Sequence, residues 1–358
     1  MSMRVYHFVS MFAVAALHAE PTPAQMQALV KNRPELDEIR WQDPARGAPI
    51  KVRIMSADAR SLTVEKTLPS GLTTRKIPFS DLSDVHFQLT PRELALHRQP
   101  AAENVPPLRV YWELRQATMR FPGADIGATG IALAKSLRLA GDPASLDEAG
   151  RILDHIRAND PDKSRVEIAR AEQLSVDFTR SLATGKLEET DKLAWKITEE
   201  TDDADAMLLA TAFLGDRHFT ELRALEENNP RWIEDDEIRP SRDKLYHLAL
   251  DFSVYPSLFL GTRVAEAAAG LKRAAEIYQF TGEVALAKGA LEDLAALYPE
   301  SEAAAETAPL LARFRQAEAA GNLAAEAVES KTEGESESGP DPAAAAPPPA
   351  KRYNIFGD

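Results

Sequence analysis

The sequence predicts a mainly α-helical protein, an α-α superhelix of stacked helix pairs preceded by a small antiparallel β-barrel. Three observations predict it. Hydrophobic residues make up 44% of the 358 but aromatics only 7%, and Ala and Leu carry most of the apolar content, which suits packed helices better than a sandwich. Short alternating segments separated by turns occupy residues 50–87. Beyond Pro107 the chain reads as helix with brief breaks, and several helices end in a proline at a fixed distance from apolar residues.

The order along the chain begins with Arg4, a positive residue ahead of the apolar run 5–17. That run is too short to span a bilayer comfortably. Ala19 then precedes the polar Glu20-Pro21-Thr22-Pro23. The pattern predicts a secretory signal peptide over 1–19, cut near Ala19, and export to the periplasm or the extracellular space. A frayed N-terminal helix is the alternative. No other segment reaches spanning length, so no transmembrane segment is expected.

Residues 20–99 are expected to form the barrel module with flanking helices, starting from a helical or irregular lead-in over 23–40. Residues 50–54 (IKVRI), 62–66 (LTVEK) and 72–77 (LTTRKI) alternate apolar and polar side chains, and Val85-His86-Phe87 supplies a last strand. Leu68-Pro69-Ser70-Gly71 is a turn. Thr90-Pro91-Arg92-Glu93 starts a helix with a capping box and a proline in its first turn. Arg40-Trp41-Gln42-Asp43, the LTVEK strand and the run from Arg75 to Ser83 resemble the small SH3-like barrels, in particular the Sla-one homology module. The resemblance implies protein binding or a structural role. A meander packed on the helices is the other reading.

Residues 100–107 are Pro-rich and are expected to be a linker to a helical-repeat domain over 108–320. Counting back from Pro122, Pro161, Pro230 and Pro299, the positions at −12, −8 and −5 are Val110, Leu114, Ala117; Ala149, Leu153, Ile156; His218, Leu222, Leu225; and Ala287, Leu291, Leu294. Steps of four and three put each trio on one helical face. Tyr278 lies nine residues before Ala287, and Thr281-Gly282, Ala140-Gly141-Asp142, Thr184-Gly185 and Leu214-Gly215-Asp216 are candidate turns between helices. Leu193, Ala194 and Ile197 supply a further second helix without the proline. The last three prolines stand 69 residues apart, close to twice a period of about 34. This register resembles the second helix of tetratricopeptide repeats, in divergent form; a generic antiparallel bundle is the alternative. The resemblance implies a groove for a protein or peptide partner.

Two features outside the regular pattern are candidate partner contacts. In the interruption 229–240, Trp232 and Ile233 stand beside Asp235 and Asp236, an apolar anchor next to a negative patch. The other reading makes it a connector whose Trp tucks into the core. Residues 246–260 are the most apolar stretch and are expected in the core. The tail 321–358 is rich in Glu, Ser, Gly, Pro and Ala and is expected to be disordered. Tyr353, Ile355 and Phe356 restore apolar character, either as a short docking motif or as chance sequence.

The net charge of −14 argues against nucleic acid, which needs a basic footprint. Cysteine is absent, which removes disulfides, thiol catalysis and thiolate metal sites. The seven histidines are scattered, and no HExxH, GxSxG, phosphate loop or dinucleotide fingerprint occurs. No catalytic, cofactor-binding or metal residue is assigned. Asp202-Asp203-Ala204-Asp205 lacks the Gly and terminal Glu of a calcium loop. The expected function is a non-catalytic exported scaffold or adaptor in the cell envelope. The alternative is an envelope hydrolase of paired-carboxylate type on a helical frame.

Overall fold

The computed structural model describes residues 36–321 except Ser70, together with Thr22 and Ala28. The expected signal peptide, most of the lead-in, and the tail with Tyr353, Ile355 and Phe356 lie outside the described residues. The described chain is mainly helical, with eleven α-helices and one five-stranded antiparallel sheet. It divides into two compact units, one up to Phe252 and one from Ser253.

Strands β1 (Asp37–Trp41), β2 (Ile50–Ala57), β3 (Ser61–Leu68), β4 (Gly71–Pro78) and β5 (Leu82–His86) are ordered β4-β3-β2-β1-β5. The alternation read from the sequence sets which side chains go inward: Val52, Ile54, Leu62, Val64, Ile77 and Val85 are buried. Phe121 and Ala124, from the segment after the second helix, join the same core. Phe79 meets Phe121 edge-on at 5.4 Å. β1 corrects the expected helical or irregular lead-in at its C-terminal end. Only Ile39 and Trp41 mark that strand as apolar, and its pairing with both β2 and β5 is a tertiary fact. The buried Asp37 carboxylate fastens it there, accepting from the backbone N–H of Ile54 at 3.4 Å and of Gln88 at 3.1 Å. Such a carboxylate replaces lost water with fixed donors.

The helices are α1 (Pro91–Arg98), α2 (Val105–Arg115), α3 (Ile126–Ala140), α4 (Pro143–Asn159), α5 (Lys163–Ala183), α6 (Leu187–Glu200), α7 (Ala204–Asn228), α8 (Arg239–Phe259), α9 (Val264–Phe280), α10 (Val284–Leu297) and α11 (Glu302–Ala319). The capping box at α1 is present: Glu93 N–H donates to Thr90 Oγ1, and Thr90 N–H to Glu93 Oε2 at 2.7 Å. Glu93 then accepts from the Arg115 guanidinium at 2.7 Å, with both side chains buried. Arg115 also lies 4.5 Å over the Phe87 ring and 5.0 Å over Tyr111. The stretch 100–107 forms a 3-10 turn and the start of α2, and Val105 is fully buried in the helical core.

From α2 to α7 and from α9 to α11 consecutive helices pack as neighbours, and α3, α5 and α9 also touch the next helix but one. In the first unit α3 packs on α4 and α5, and α5 on α6 and α7; in the second, α9 packs on α10 and α11. The trios before Pro161 and Pro299 are fully buried or nearly so, on α4 and α10. Gly141, Gly185 and Gly282 end α3, α5 and α9 with positive φ, the left-handed stop that favours glycine. Two expectations are corrected. Leu214-Gly215-Asp216 is no turn; it lies inside α7, whose 25 residues run on to Asn228. A buried interior glycine costs a helix only about 1 kcal/mol, and the apolar face continues through it. The trio before Pro230 therefore sits on the second half of one long helix. Pro122, likewise, opens a 3-10 turn rather than closing α2, which ends at Arg115.

The apolar stretch 246–260 forms most of α8, but only part of it is core. Ala249, Leu250 and Ser253 are buried, whereas Leu258 and Phe259 are exposed. Its close approach to α9 falls at Gly270, where a methyl group would overlap the Ser253 carbonyl oxygen.

His97 closes α1 against α3, with Nε2 3.1 Å from Thr129 Oγ1. Burial pushes its imidazole below the usual value near 6.5, although Asp125 and Glu93 pull the other way. A depressed histidine favours the neutral form in the folded chain. The stability it contributes is present above about pH 6.5 and is lost as pH falls through the lower folded value. The urea midpoint should therefore fall more between pH 7.5 and 5.5 in the wild type than in His97→Gln, and equal falls would contradict this.

Candidate functional site

An open cleft of ≈ 280 Å³ lies between α5 and the turn joining α6 to α7. Local sequence fixes both walls. α5 starts at Asp162, whose carboxylate accepts from Ser164 N–H at 2.8 Å. Arg165 then clamps Asp160 with two hydrogen bonds of 2.8 and 2.9 Å and reaches Asp125 at 2.6 Å. These bonds tie the start of α5 to the end of α4 and the start of α3. On the other wall Asp203 caps α7 through Ala206 N–H, and Thr201 Oγ1 accepts from Asp203 N–H, both at 3.0 Å.

Glu167, Glu200, Asp202 and Asp203 surround the cleft, with Arg170 as its one cationic lining residue and Ile168, Ala171 and Leu174 as its apolar part. Carboxylates around a short apolar wall complement a lysine or arginine, whose stem is hydrocarbon and whose head is charged.

Charge also crosses the helices next to the cleft. Arg138 on α3 donates from Nε to Glu172 Oε1 on α5 at 2.6 Å, and Lys135 Nζ donates to Asp205 Oδ2 on α7 at 2.8 Å. Glu172 is 1% exposed. Burial pushes its carboxyl up, while Arg138 and Lys135 pull it back. Its Oε2 is buried with no hydrogen-bond partner, an arrangement that costs stability unless the pair stays intact. Burial works against the Lys135 ammonium, but the hydrogen bond to Asp205 and the charges of Asp203, Asp205 and Glu172 outweigh it and hold the group above its usual value. Glu172, held by Arg138 inside the helix stack, does not reach solutes in the cleft.

The candidate contacts from the interruption stand apart from this cleft. Trp232 and Ile233 lie in a 3-10 turn between α7 and α8. Trp232 is half-buried beneath the Arg242 guanidinium, 4.4 Å from its ring centroid. Arg242 in turn donates to Glu226 at 2.9 Å. Ile233 is 66% exposed. Asp235 accepts from the backbone N–H of Glu237 and Ile238, and Asp236 pairs with Arg239. The residues therefore share one turn, with Ile233 outward and Trp232 pinned.

The acidic run 202–205, weighed in sequence only as a calcium loop, does other work: Asp203 caps α7 and Asp205 pairs with Lys135. Among the described residues no group of three or more ligating side chains could hold a metal ion. The cleft itself was missed because its lining is split between 167–174 and 200–203. Glu172, which interrupts the apolar face formed by Ala169, Val176 and their neighbours, signals the buried pair with Arg138 but carries no signal of the cleft.

Fold and site together give a mainly helical chain with a small five-stranded antiparallel sheet and an acid-rimmed cleft among the helices of its first unit. No family model matches the chain, and neither a curated protein nor a solved structure shows similarity to it. Among the described residues no helix is long and apolar enough to cross a membrane.

Proposed function

We propose that the chain is an exported, non-catalytic scaffold of divergent tetratricopeptide-like repeats that holds a protein or peptide partner in the cell envelope. The observation that carries the reading is the packing of α3 and α5, each of which touches both the helix that follows it and the next but one. That geometry leaves first helices side by side as a continuous surface, and the acid-rimmed cleft opens on α5. The sheet order β4-β3-β2-β1-β5 and the 3-10 turn Phe79–Asp81 before β5 support the reading of the N-terminal module as a small SH3-like barrel. The partner segment is extended or helical and carries lysine or arginine, because the cleft is acidic.

A photocrosslinking residue in place of Ile168, introduced into the full chain in intact producing cells, tests the reading. A discrete protein adduct is expected, and it should be lost when Glu167→Lys and Asp202→Lys are added. An adduct indifferent to both charge reversals, or none at all, would overturn the reading.

A further inference from the structure

The two edges of the five-stranded sheet differ. β5 is covered: Gly123 N–H donates to Asp84 at 3.0 Å, and Phe121 and Ala124 join the sheet's core. β4 is open. It ends the sheet order and, among the described residues, pairs with no strand but β3, in unbroken register from Ser61↔Pro78 to Leu68↔Gly71. Every residue from Gly71 to Lys76 is exposed. In an antiparallel edge strand alternate residues turn their N–H and C=O away from the neighbour, so β4 offers a row of main-chain groups to a further strand.

The register also fixes which side chains flank that row. Ile77, Arg75 and Thr73 stand opposite Leu62, Val64 and Lys66, and side chains paired in this way share a face. Ile77, Leu62 and Val64 are buried, but the face runs on past the core, where Arg75, Thr73 and Lys66 are exposed. Lys66 and Arg75 are diagonal neighbours on it, about 7–8 Å apart by the pairing geometry. The opposite face of β4 carries Lys76, Thr74 and Leu72, the last 67% exposed. The stretch 66–76 contains Lys66, Arg75, Lys76 and no acid, in a chain of net charge −14. The two acids between Ile50 and Pro78 are engaged, Glu65 with Arg53 at 3.5 Å and Asp58 with Lys76 at 2.8 Å. Lys66 and Arg75 form no ion pair among the described residues.

We propose that β4 binds an extended acidic segment of a partner protein as an added strand. Its acidic side chains alternate, one opposite Arg75 and the next opposite Thr73, the small residue between it and Lys66. The side chains between them are apolar and lie beside Leu72. Main-chain bonds supply the attachment and the alternate positions the selectivity. Inward-facing charge on an edge strand disfavours casual pairing, and here it does so selectively. An apolar strand would leave Arg75 and Lys66 without a counter-charge, and a basic one would be repelled. A second copy is disfavoured on the same ground, because two β4 strands would bring Arg75 and Lys76 of each to one seam with no acid between them.

The inference goes beyond the scaffold reading and stands or falls without it, since its test leaves the cleft and the helices untouched. The probe is the end-blocked peptide Val-Glu-Val-Glu-Val-Glu-Val, titrated into the full chain and read by fluorescence anisotropy. Binding should slow hydrogen exchange at 72–76. Lys66→Glu/Arg75→Glu, both at exposed positions, should weaken it about tenfold, the effect of turning two cross-strand attractions into repulsions. The same variant should prefer the peptide with lysine in place of glutamate, which shows that its edge is still formed. Methylating one alternate set of the peptide's backbone nitrogens should abolish binding to the wild type, and methylating the other set should leave it. Absence of binding, or equal binding to wild type and variant, would overturn the proposal. So would indifference to both methylated sets, which would mean attraction of any polyanion, or protection of 72–76 that grows with protein concentration without peptide, which would mean a second copy.

Discussion

Arg138→Leu should lower the unfolding free energy by about 3–5 kcal/mol, the usual consequence of stranding one member of a buried ion pair. Arg138 donates to Glu172 at 2.6 Å, and Glu172 is enclosed between α3, α5 and the start of α7. With the guanidinium gone, Glu172 must either stay charged in a poor solvent or take up a proton. Lys135 is engaged with Asp205 and cannot move across without leaving that carboxylate behind. The double variant Arg138→Leu/Glu172→Leu separates the cost of stranding from the net worth of the pair. It should regain most of the loss, because replacing both charges with apolar groups of similar size is often near neutral. Chemical denaturation of the full chain measures both. If the single variant costs under about 1 kcal/mol, the value of an exposed pair, then the pair is not the enclosed contact described above.

Leu153→Ala should cost about 2–5 kcal/mol, a loss made of the transfer energy and the cavity left behind. Leu153 is fully buried at the centre of α4, in the same cluster as Leu137, Ile156 and Val176 from three consecutive helices. Neighbours on three elements cannot collapse into the space together, which puts the expected loss in the upper half of that range. Leu297→Ala is the control: it removes the same atoms from a side chain 64% exposed and should change stability by under about 0.5 kcal/mol. Denaturant midpoints with unchanged slopes check both.

Legibility followed the range of the interactions. The strand alternation at 50–54 and 62–66, the capping box at Thr90, the glycine stops at 141, 185 and 282, and the apolar faces of α4 and α10 were all readable. Each depends on neighbours within a few residues. Gly215 shows where local reading fails. It has the look of a turn, but a continuous buried face on α7 outweighs one unfavourable residue. Trp232 is a parallel case. Its anchor character is plain in sequence, but the Arg242 guanidinium that pins it comes from the following helix.

The sequence by itself determined the helical class, the presence of a small antiparallel sheet ahead of it, and the register of the buried trios, because periodicity and capping are local. Tertiary structure alone decided that Asp37–Trp41 is a strand, that α7 is one helix, and that Glu172 meets Arg138. It also decided that Glu167 and Asp202 share a cleft. Each of these joins residues from different elements. The free energy that selects such pairings comes from burial and charge compensation between elements, which no window of sequence contains.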